Sequence, residues 1–326
     1  MQMNEKLLTI SIAAYNVEKC LHYAVESCLI KKNDLCKRLE IIIVNDGSGD
    51  RTSEIAHDYE RKFPDIIRVI DKKNGGYGST VNTSIDAAKG KYIRLLDADD
   101  CYDTEQLEHF MENLASLDVD LVITDYMVCY RHKNKKVTYE LPKSILTNLE
   151  GINVDLSMPS ICFKTRLLRD NKILLGERMF YTDTEFVIYP LYYVKTIYYL
   201  PYMIYQYKVG DEAQSVSFTS RVNHIKDIEA LNARLQNYYF RHKITNGAKD
   251  MIEKRMAVSE QFYITTLLLL PDGKKAKKIL ADYDRGLKKL LPGVYRRMKT
   301  KCILFLRKSN YWGYRICAVY VRLFQR

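Results

Sequence analysis

The segment Leu95-Leu96-Asp97-Ala98-Asp99-Asp100 sets three carboxylates within four residues, directly behind an apolar run. Carboxylates this close repel one another unless a cation neutralises them, and hard oxygen ligands suit Mg²⁺ or Mn²⁺. Such a divalent ion would bridge diphosphate oxygens and stabilise charge on a departing nucleotide diphosphate. A solvated acidic turn capping the next helix would have the same sequence, so these residues alone leave both readings open. Three further clusters combine amides, carboxylates and glycine: Tyr15, Asn16 and Glu18; Asn45, Asp46 and Ser48; Asn74, Gly75 and Gly76. Core packing does not explain them, because buried charges need partners. The competing phosphate motifs are absent. No GxGxxG follows the first apolar run, and Gly90-Lys91 fails as a P-loop because Ile85 and Tyr92 occupy the flanking motif positions. Gly75-Gly76-Tyr77-Gly78 reads as a tight turn or as backbone shaped to approach a ligand.

The elements needed to position these clusters are legible in the hydrophobic periodicity. Strands are expected over 8–14, 39–44, 66–70, 92–96 and 121–124, the second nearly continuously apolar, as a strand covered on both faces should be. Helices are expected between them: Leu21, Ala24, Val25 and Cys28 share one face, Asp50 is a candidate N-cap for a helix toward Tyr59, and Thr80–Ala88 forms another. Asp103 with Gln106 three residues later begins a helix through Leu117 in capping-box fashion. Single helices between strands predict an α/β, doubly wound, mostly parallel sheet, in which ligands bind at the carboxyl ends of the strands. All four clusters fall at such ends. Residues 131–220 change to short aromatic strands such as Ile197–Leu200 and Met203–Tyr207, and from Arg221 the pattern is helical. The expected division is 1–130, 131–220 and a helical C-terminal extension over 221–326.

Over its 326 residues the chain is 47% apolar and 28% charged, which fits a globular protein rather than a disordered or collagen-like one. No apolar run approaches the roughly 20 residues of a bilayer span, and the first residues do not form a secretory signal. The formal charge of +11 is uneven: Arg285 to Arg326 holds twelve Lys or Arg and no Asp or Glu, so residues 1–284 carry −1. That distribution argues against a nucleic-acid footprint spread over the fold. Eight cysteines without a CxxC pair read as reduced thiols of a cytosolic protein.

Taken in order and at their spacings, Ala13-Ala14-Tyr15-Asn16-Val17-Glu18, Val44-Asn45-Asp46-Gly47-Ser48-Gly49-Asp50, Asn74-Gly75-Gly76 with Asn82, and Leu96-Asp97-Ala98-Asp99-Asp100 resemble the nucleotide-sugar half of family 2 inverting glycosyltransferases of the A-type fold, as in bacterial surface-polysaccharide enzymes. The resemblance implies a metal-dependent hexosyl transfer from a nucleotide-diphosphate sugar, a UDP-sugar, with Mg²⁺ or Mn²⁺ as cofactor. It implies that Ala13, Tyr15 and Glu18 border the base, that Asp46 accepts a hydrogen bond from it, that Asn74 and Gly75 lie beside the nucleotide and Asp97 near the ribose, and that Asp99 binds the metal. Ala14 stands where the family commonly has Pro, and Asn45 where the first of two Asp residues is frequent.

Inversion needs a base opposite the leaving group. Met179-Phe180-Tyr181-Thr182-Asp183-Thr184-Glu185-Phe186 resembles the family's acidic pair after an aromatic residue, with Asp183 at the base position, Glu185 as the alternative, and Thr182 in place of the usual Glu. A strand here would put both carboxylates on one side, and a helix would separate them, with Thr182 or Asp183 as its cap. Tyr205-Gln206-Tyr207-Lys208 and Gln214-Ser215-Val216-Ser217 resemble the loop that relatives place over diphosphate and acceptor, where Lys208 or Arg221 would add positive charge. A processive synthase is disfavoured by the absence of a Gln-x-x-Arg-Trp motif and of spanning helices. A nucleotidyltransferase on a related fold and a non-catalytic scaffold are the competing functions.

In the tail, Lys301, Lys308, Arg315 and Arg322 recur every seven residues, with Leu304, Phe305, Trp312, Ile316 and Val319 among them and Gly313 as a break. That pattern fits a helix lying in an anionic membrane surface, and equally a helix packed on the enzyme or a second subunit. The first reading suits a cytoplasmic enzyme held peripherally at the inner face of the cell membrane, with a lipid-linked or glycan acceptor.

Overall fold

The structure, a computed structural model, describes residues 5–210, 215–271 and 273–324. It forms two compact units, Met1–Leu149 with Leu156–Val209, and Glu150–Asp155 with Gly210–Arg326.

The first unit is built on one nine-stranded sheet. Strands β1 (Leu8–Ala14), β2 (Leu39–Asn45), β3 (Ile67–Asp71) and β4 (Tyr92–Asp97) run parallel in the order β3-β2-β1-β4. Between them come α1 (Leu21–Ser27), the short α2 (Asn33–Cys36), α3 (Thr52–Lys62) and α4 (Tyr77–Ala87). Every residue of β2 is buried, as its unbroken apolar run requires for a strand covered on both faces. After β4 follow β5 (Cys101–Tyr102), α5 (Thr104–Leu114), β6 (Leu121–Tyr130), β7 (Asn134–Val137), β8 (Ile161–Lys164), α6 (Thr165–Asp170), α7 (Asp183–Leu191) and β9 (Ile197–Val209). Here the sheet becomes mixed: β8 is antiparallel to both β4 and β6, whereas β9 is parallel to β6. The doubly wound α/β class therefore holds, with parallel pairing concentrated in the first half.

Local expectations hold with instructive exceptions. Asp103 caps α5, its side chain accepting from Gln106 N at 3.0 Å. Asp50 lies one residue before the cap position of α3, yet still accepts from Thr52 N at 3.0 Å. The two short strands expected around residue 200 are one strand of 13 residues. Pro201 does not end it, because Leu200 and Met203 pair with successive residues of β6, leaving Pro201 and Tyr202 in a bulge where a missing N–H costs no ladder bond.

The second unit is helical: α8 (Phe218–Asn223), α9 (Ile225–Arg241), α10 (Lys249–Leu267), α11 (Gly273–Leu290), α12 (Pro292–Arg297), α13 (Lys301–Lys308) and α14 (Tyr314–Phe324). Helix α10 packs against α9, α11 and α12. At its centre the buried Glu260 carboxylate accepts from Asn232 Nδ2 (3.1 Å), Gln236 Nε2 (2.9 Å) and Tyr283 Oη (2.7 Å). The basic tail is two helices rather than one: Asn310 and Tyr311 take left-handed φ values of 44° and 65° between them. Its inner side is core, with Cys302, Ile303, Leu306, Cys317 and Val321 buried. Arg307 pins it, pairing with the buried Asp284 at 2.7 Å and donating to the Tyr295 and Met298 carbonyls. The break expected at Gly313 is therefore present, with its left-handed residues two and three positions earlier and Gly313 itself directly before α14.

Candidate active site

Strand register assembles the rim on which the clusters meet. Ala13 sits beside Val44 on one neighbour and Asp97 on the other, and Asn45 beside Ala14 and Asp71. The chain therefore leaves four adjacent parallel strands at one level, and the loops that follow share one edge. The first two are laced together. Asn16, with φ 53°, accepts from Gly49 N at 2.8 Å and donates its own N–H to Ser48 Oγ at 3.0 Å. Glu18 N donates to Asp50 Oδ2 at 3.1 Å, and Glu18 Oε2 accepts from Arg51 N at 3.1 Å. Tyr15 is left 53% exposed above this junction, a ring free to cover a planar ligand.

Asp46 is buried and organises the third loop. Its carboxylate accepts from Gly75 N (2.9 Å), Gly76 N (2.8 Å) and Lys72 Nζ (2.9 Å), and its carbonyl from Asn74 Nδ2 (3.0 Å). Asn74 is exposed and Gly75 buried beside it. Gly76, at φ 81°, makes the turn into α4. Gly78 permits a close approach: a Cβ there would stand 1.9 Å from the Gly176 carbonyl oxygen. Loop 176–182 thus lies against the start of α4, with Arg178 N donating to Gly75 O at 2.6 Å.

The three carboxylates at the tip of β4 converge, with one oxygen from each of Asp97, Asp99 and Asp100 lying within 4.8 Å of the others. Asp99 is exposed, whereas Asp100 is buried and held on both sides. It accepts from Tyr205 Oη at 2.6 Å and from Lys208 N at 2.7 Å. The same Tyr205 hydroxyl accepts from Asp97 N at 3.2 Å, so one buried β9 side chain fixes the shape of the turn. Burial and, to a smaller degree, Asp99 push the Asp100 carboxyl up to about 7, against the pull of its Tyr205 and Lys208 bonds. Asp97 is raised well above the usual carboxylate range, first by burial, then by the charges of Asp100, Asp99 and Asp183. Its Oδ1 is buried and has no hydrogen-bond partner among the described residues. A crowd of mutually raised carboxylates with an orphaned inward oxygen is a donor set that fits a hard divalent cation.

Asp183 is the first residue of α7, half-buried, and close enough for its charge to raise Asp97, Tyr77 and Tyr207. The segment is helical, so the strand alternative falls and Asp183 and Glu185 part. Glu185 is wholly buried, accepting from Gly176 N (2.5 Å) and Tyr189 Oη (2.7 Å). It holds loop 176–182 in place and is not available to an acceptor, which corrects its standing as the alternative base. Lys208 lies at the edge of the carboxylate group, its ammonium 5.4 Å from the Tyr23 ring centroid. Arg221, the other cation expected there, is buried in the helical unit, where it donates to Thr265 and Thr266 Oγ1 at 2.7 and 2.9 Å. Ser215 is exposed in the turn before α8, and Gln214 lies outside the described residues. Sequence reasoning placed Tyr205 in a covering loop and missed its clamp on Asp100; its period-2 position on an aromatic strand was the only available signal.

Residues 9–175 match the family model described as "Glycosyl transferase family 2". Among curated relatives, the uncharacterized glycosyltransferase RT0329 of Rickettsia typhi is 31% identical over 241 residues, covering 69% of this chain and 70% of that one. RP339 of Rickettsia prowazekii is 27% identical over 93% of this chain and 92% of its own. EpsJ of Bacillus subtilis is 35% identical, but the match spans only 42% of this chain and 38% of the relative. Among solved structures, S. aureus TarS 1-349 in complex with UDP-GlcNAc superposes with a TM-score of 0.62 at 15% identity, covering 97% of this chain and 91% of that one. The mannosyltransferase PcManGT from Pyrobaculum calidifontis, in complex with GDP-Man and Mn2+, gives 0.53 at 15% identity, covering 99% and 88%. These likenesses assign the A-type glycosyltransferase fold. With the matched family model and the four loops on a common rim, the chain belongs to glycosyl transferase family 2.

Proposed function

We propose that this chain is a non-processive, inverting enzyme that moves one hexosyl group from a UDP-sugar to a hydroxyl of a lipid-linked or glycan acceptor in the assembly of a bacterial surface polysaccharide. The observation that carries the reading is the meeting of Asp97, Asp99 and Asp100 at the strand rim with Asp183 within electrostatic reach. The UDP-GlcNAc, UDP and GDP-Man bound by the structural neighbours support the donor class.

Asp97, Asp99 and Asp100 would hold Mg²⁺ or Mn²⁺, with Asp99 the most open of the three. The chemistry such a cation would supply there, when bound, is neutralisation of diphosphate charge. Tyr15 covers the base, bordered by Ala13 and Glu18, and Asp46 accepts from the base while keeping Asn74 and Gly75 beside the nucleotide. Asp97 faces the ribose. Asp183 takes the acceptor hydroxyl proton as the acceptor oxygen bonds to the anomeric carbon from the side opposite the diphosphate. The anomeric carbon–oxygen bond breaks, its electron pair leaves with UDP, and Lys208 offsets the charge that appears. The enzyme works in the cytoplasm, held peripherally at the inner face of the cell membrane.

The test is nucleotide-diphosphate release by the full chain from a panel of UDP- and GDP-sugars, with and without Mn²⁺, and the anomeric configuration of any product by NMR. Metal-dependent UDP release with inverted product is expected. Release of pyrophosphate from a nucleoside triphosphate and a sugar phosphate would establish nucleotidyl transfer instead. A folded chain inert toward the whole panel would leave the scaffold reading.

A further inference from the structure

The helical unit displays an apolar ridge that the described residues leave exposed. Trp312, Ile316, Val319 and Leu323 fall at spacings of four, three and four, one side of α14 and the turn before it, and are 82, 66, 55 and 63% exposed. Burial of Cys317, Ala318 and Val321 on the opposite side shows that the unit has taken the face it needs. The ridge extends to α13, where Leu304 and Phe305 are exposed. A methyl group at Gly313 would stand 2.3 Å from the Phe305 ring, so that ring lies directly over the turn carrying Trp312.

Positive charge borders the ridge. Arg315 and Arg322 stand exposed along α14. Lys277 Nζ lies 5.1 Å from the Trp312 ring centroid, which sets the lysine row of α11 beside the ridge. That row includes the exposed Lys274 and Lys278. Residues 273–324 hold 15 Lys or Arg and two acids. One of those acids, Asp284, is buried in its pair with Arg307.

Resting on the peripheral reading above, we infer that this ridge inserts at the surface of an anionic lipid bilayer, with Trp312, Ile316, Val319 and Leu323 in the headgroup–acyl boundary and the lysines of α11 on the phosphates. The chemistry selects that occupant. Exposed apolar side chains beside an interfacial tryptophan match the boundary layer, and the flanking cations match anionic headgroups. A second copy docking through the same face would bring like charges together. A nucleic acid would leave the ridge wet.

Trp312 is the sole tryptophan, so its emission reports on the ridge directly. The full chain is titrated with phosphatidylcholine vesicles, with and without phosphatidylglycerol, at low and high salt, and with brominated lipid as a quencher. A blue shift and bromine quenching are expected on the anionic vesicles, weakened by salt. Lys274→Gln with Lys278→Gln should lower vesicle affinity by about fivefold per charge. Ile316→Ser with Leu323→Ser should lower it by about tenfold or more with far-UV circular dichroism unchanged, since both side chains already face water. An absent shift on anionic vesicles at low salt overturns the inference, as does an equal shift on neutral ones. A shift that grows with protein concentration without lipid assigns the ridge to a second copy, and one produced by duplex DNA assigns the basic face to nucleic acid. UDP release is followed in the same samples. Turnover without vesicle binding removes only the docking surface, and binding without turnover removes only the enzymatic reading.

Discussion

Replacing Tyr205 by Phe deletes one oxygen that serves two partners, donating to Asp100 Oδ2 at 2.6 Å and accepting from Asp97 N at 3.2 Å. The ring itself remains, fully buried between neighbours, so packing should survive. A hydrogen bond to a charged group contributes about 1.5–3 kcal/mol, and the Asp97 N–H left without a partner adds a desolvation cost of about 1–3 kcal/mol. If most of the first quantity is felt in holding the carboxylates at their working geometry, Mn²⁺ affinity falls by about 10–100-fold, at about 1.4 kcal/mol per factor of ten. The sign with pH follows as well. The Tyr205 bond lowers the Asp100 carboxyl from where burial would put it, and even so it stands at about 7. Without that donor it rises further, so protons compete more strongly and the variant's Mn²⁺ binding should decline more steeply as pH falls through 7. Isothermal titration or electron paramagnetic resonance of Mn²⁺ on the purified full chain, from pH 6 to 8, makes the comparison without recourse to turnover. Equal Mn²⁺ affinity and equal pH dependence in Tyr205→Phe and the parent would refute the positioning role.

Asp183→Asn keeps the size of the side chain and removes its basicity; transfer should drop by about 10²–10⁴-fold while nucleotide-diphosphate binding by calorimetry stays within a few-fold. Gly78→Ala should displace loop 176–182, since its Cβ would stand 1.9 Å from the Gly176 carbonyl oxygen, and the measurable result is loss of transfer with a stability loss of about 1–3 kcal/mol in urea unfolding. Glu260 is pushed up to about 7 by burial, so between about 4.5 and 7 the folded chain holds a proton that the unfolded chain has released. Stability of the helical unit should therefore fall as pH rises through that window, by on the order of 3 kcal/mol, and Glu260→Gln should flatten the profile in denaturant melts at matched pH values.

The parallel half of the sheet was legible because its strands are apolar runs punctuated by turn residues, a pattern that needs no partner to be recognised. Its loops could be assigned to one rim for the same reason: strand ends define the rim. What lay outside local pattern was long-range. The antiparallel insertion of β8 between β4 and β6 depends on which strands meet across more than thirty residues of chain. The clamp of Tyr205 on Asp100 joins residues 105 apart in sequence. Glu185 and Asp183 look equivalent as letters, and only the helix beginning at Asp183 leaves one half-buried near the carboxylate group and buries the other. Arg221 likewise reads as a loop cation until the helical unit supplies Thr265 and Thr266 as its partners.

The ion pair between Arg307 and Asp284 has a practical consequence for anyone shortening this chain. Leu287, Val294, Met298 and Leu306 are interior residues of the helical bundle, so cutting at residue 284 would open a wound in its core rather than trim a loose appendage. Loss of lipid affinity in such a fragment would report unfolding, whereas point changes on the wet side of α14 leave the scaffold intact. Because that side is held rigid beforehand, attachment to a bilayer would require little ordering of the backbone and should remain readily reversible.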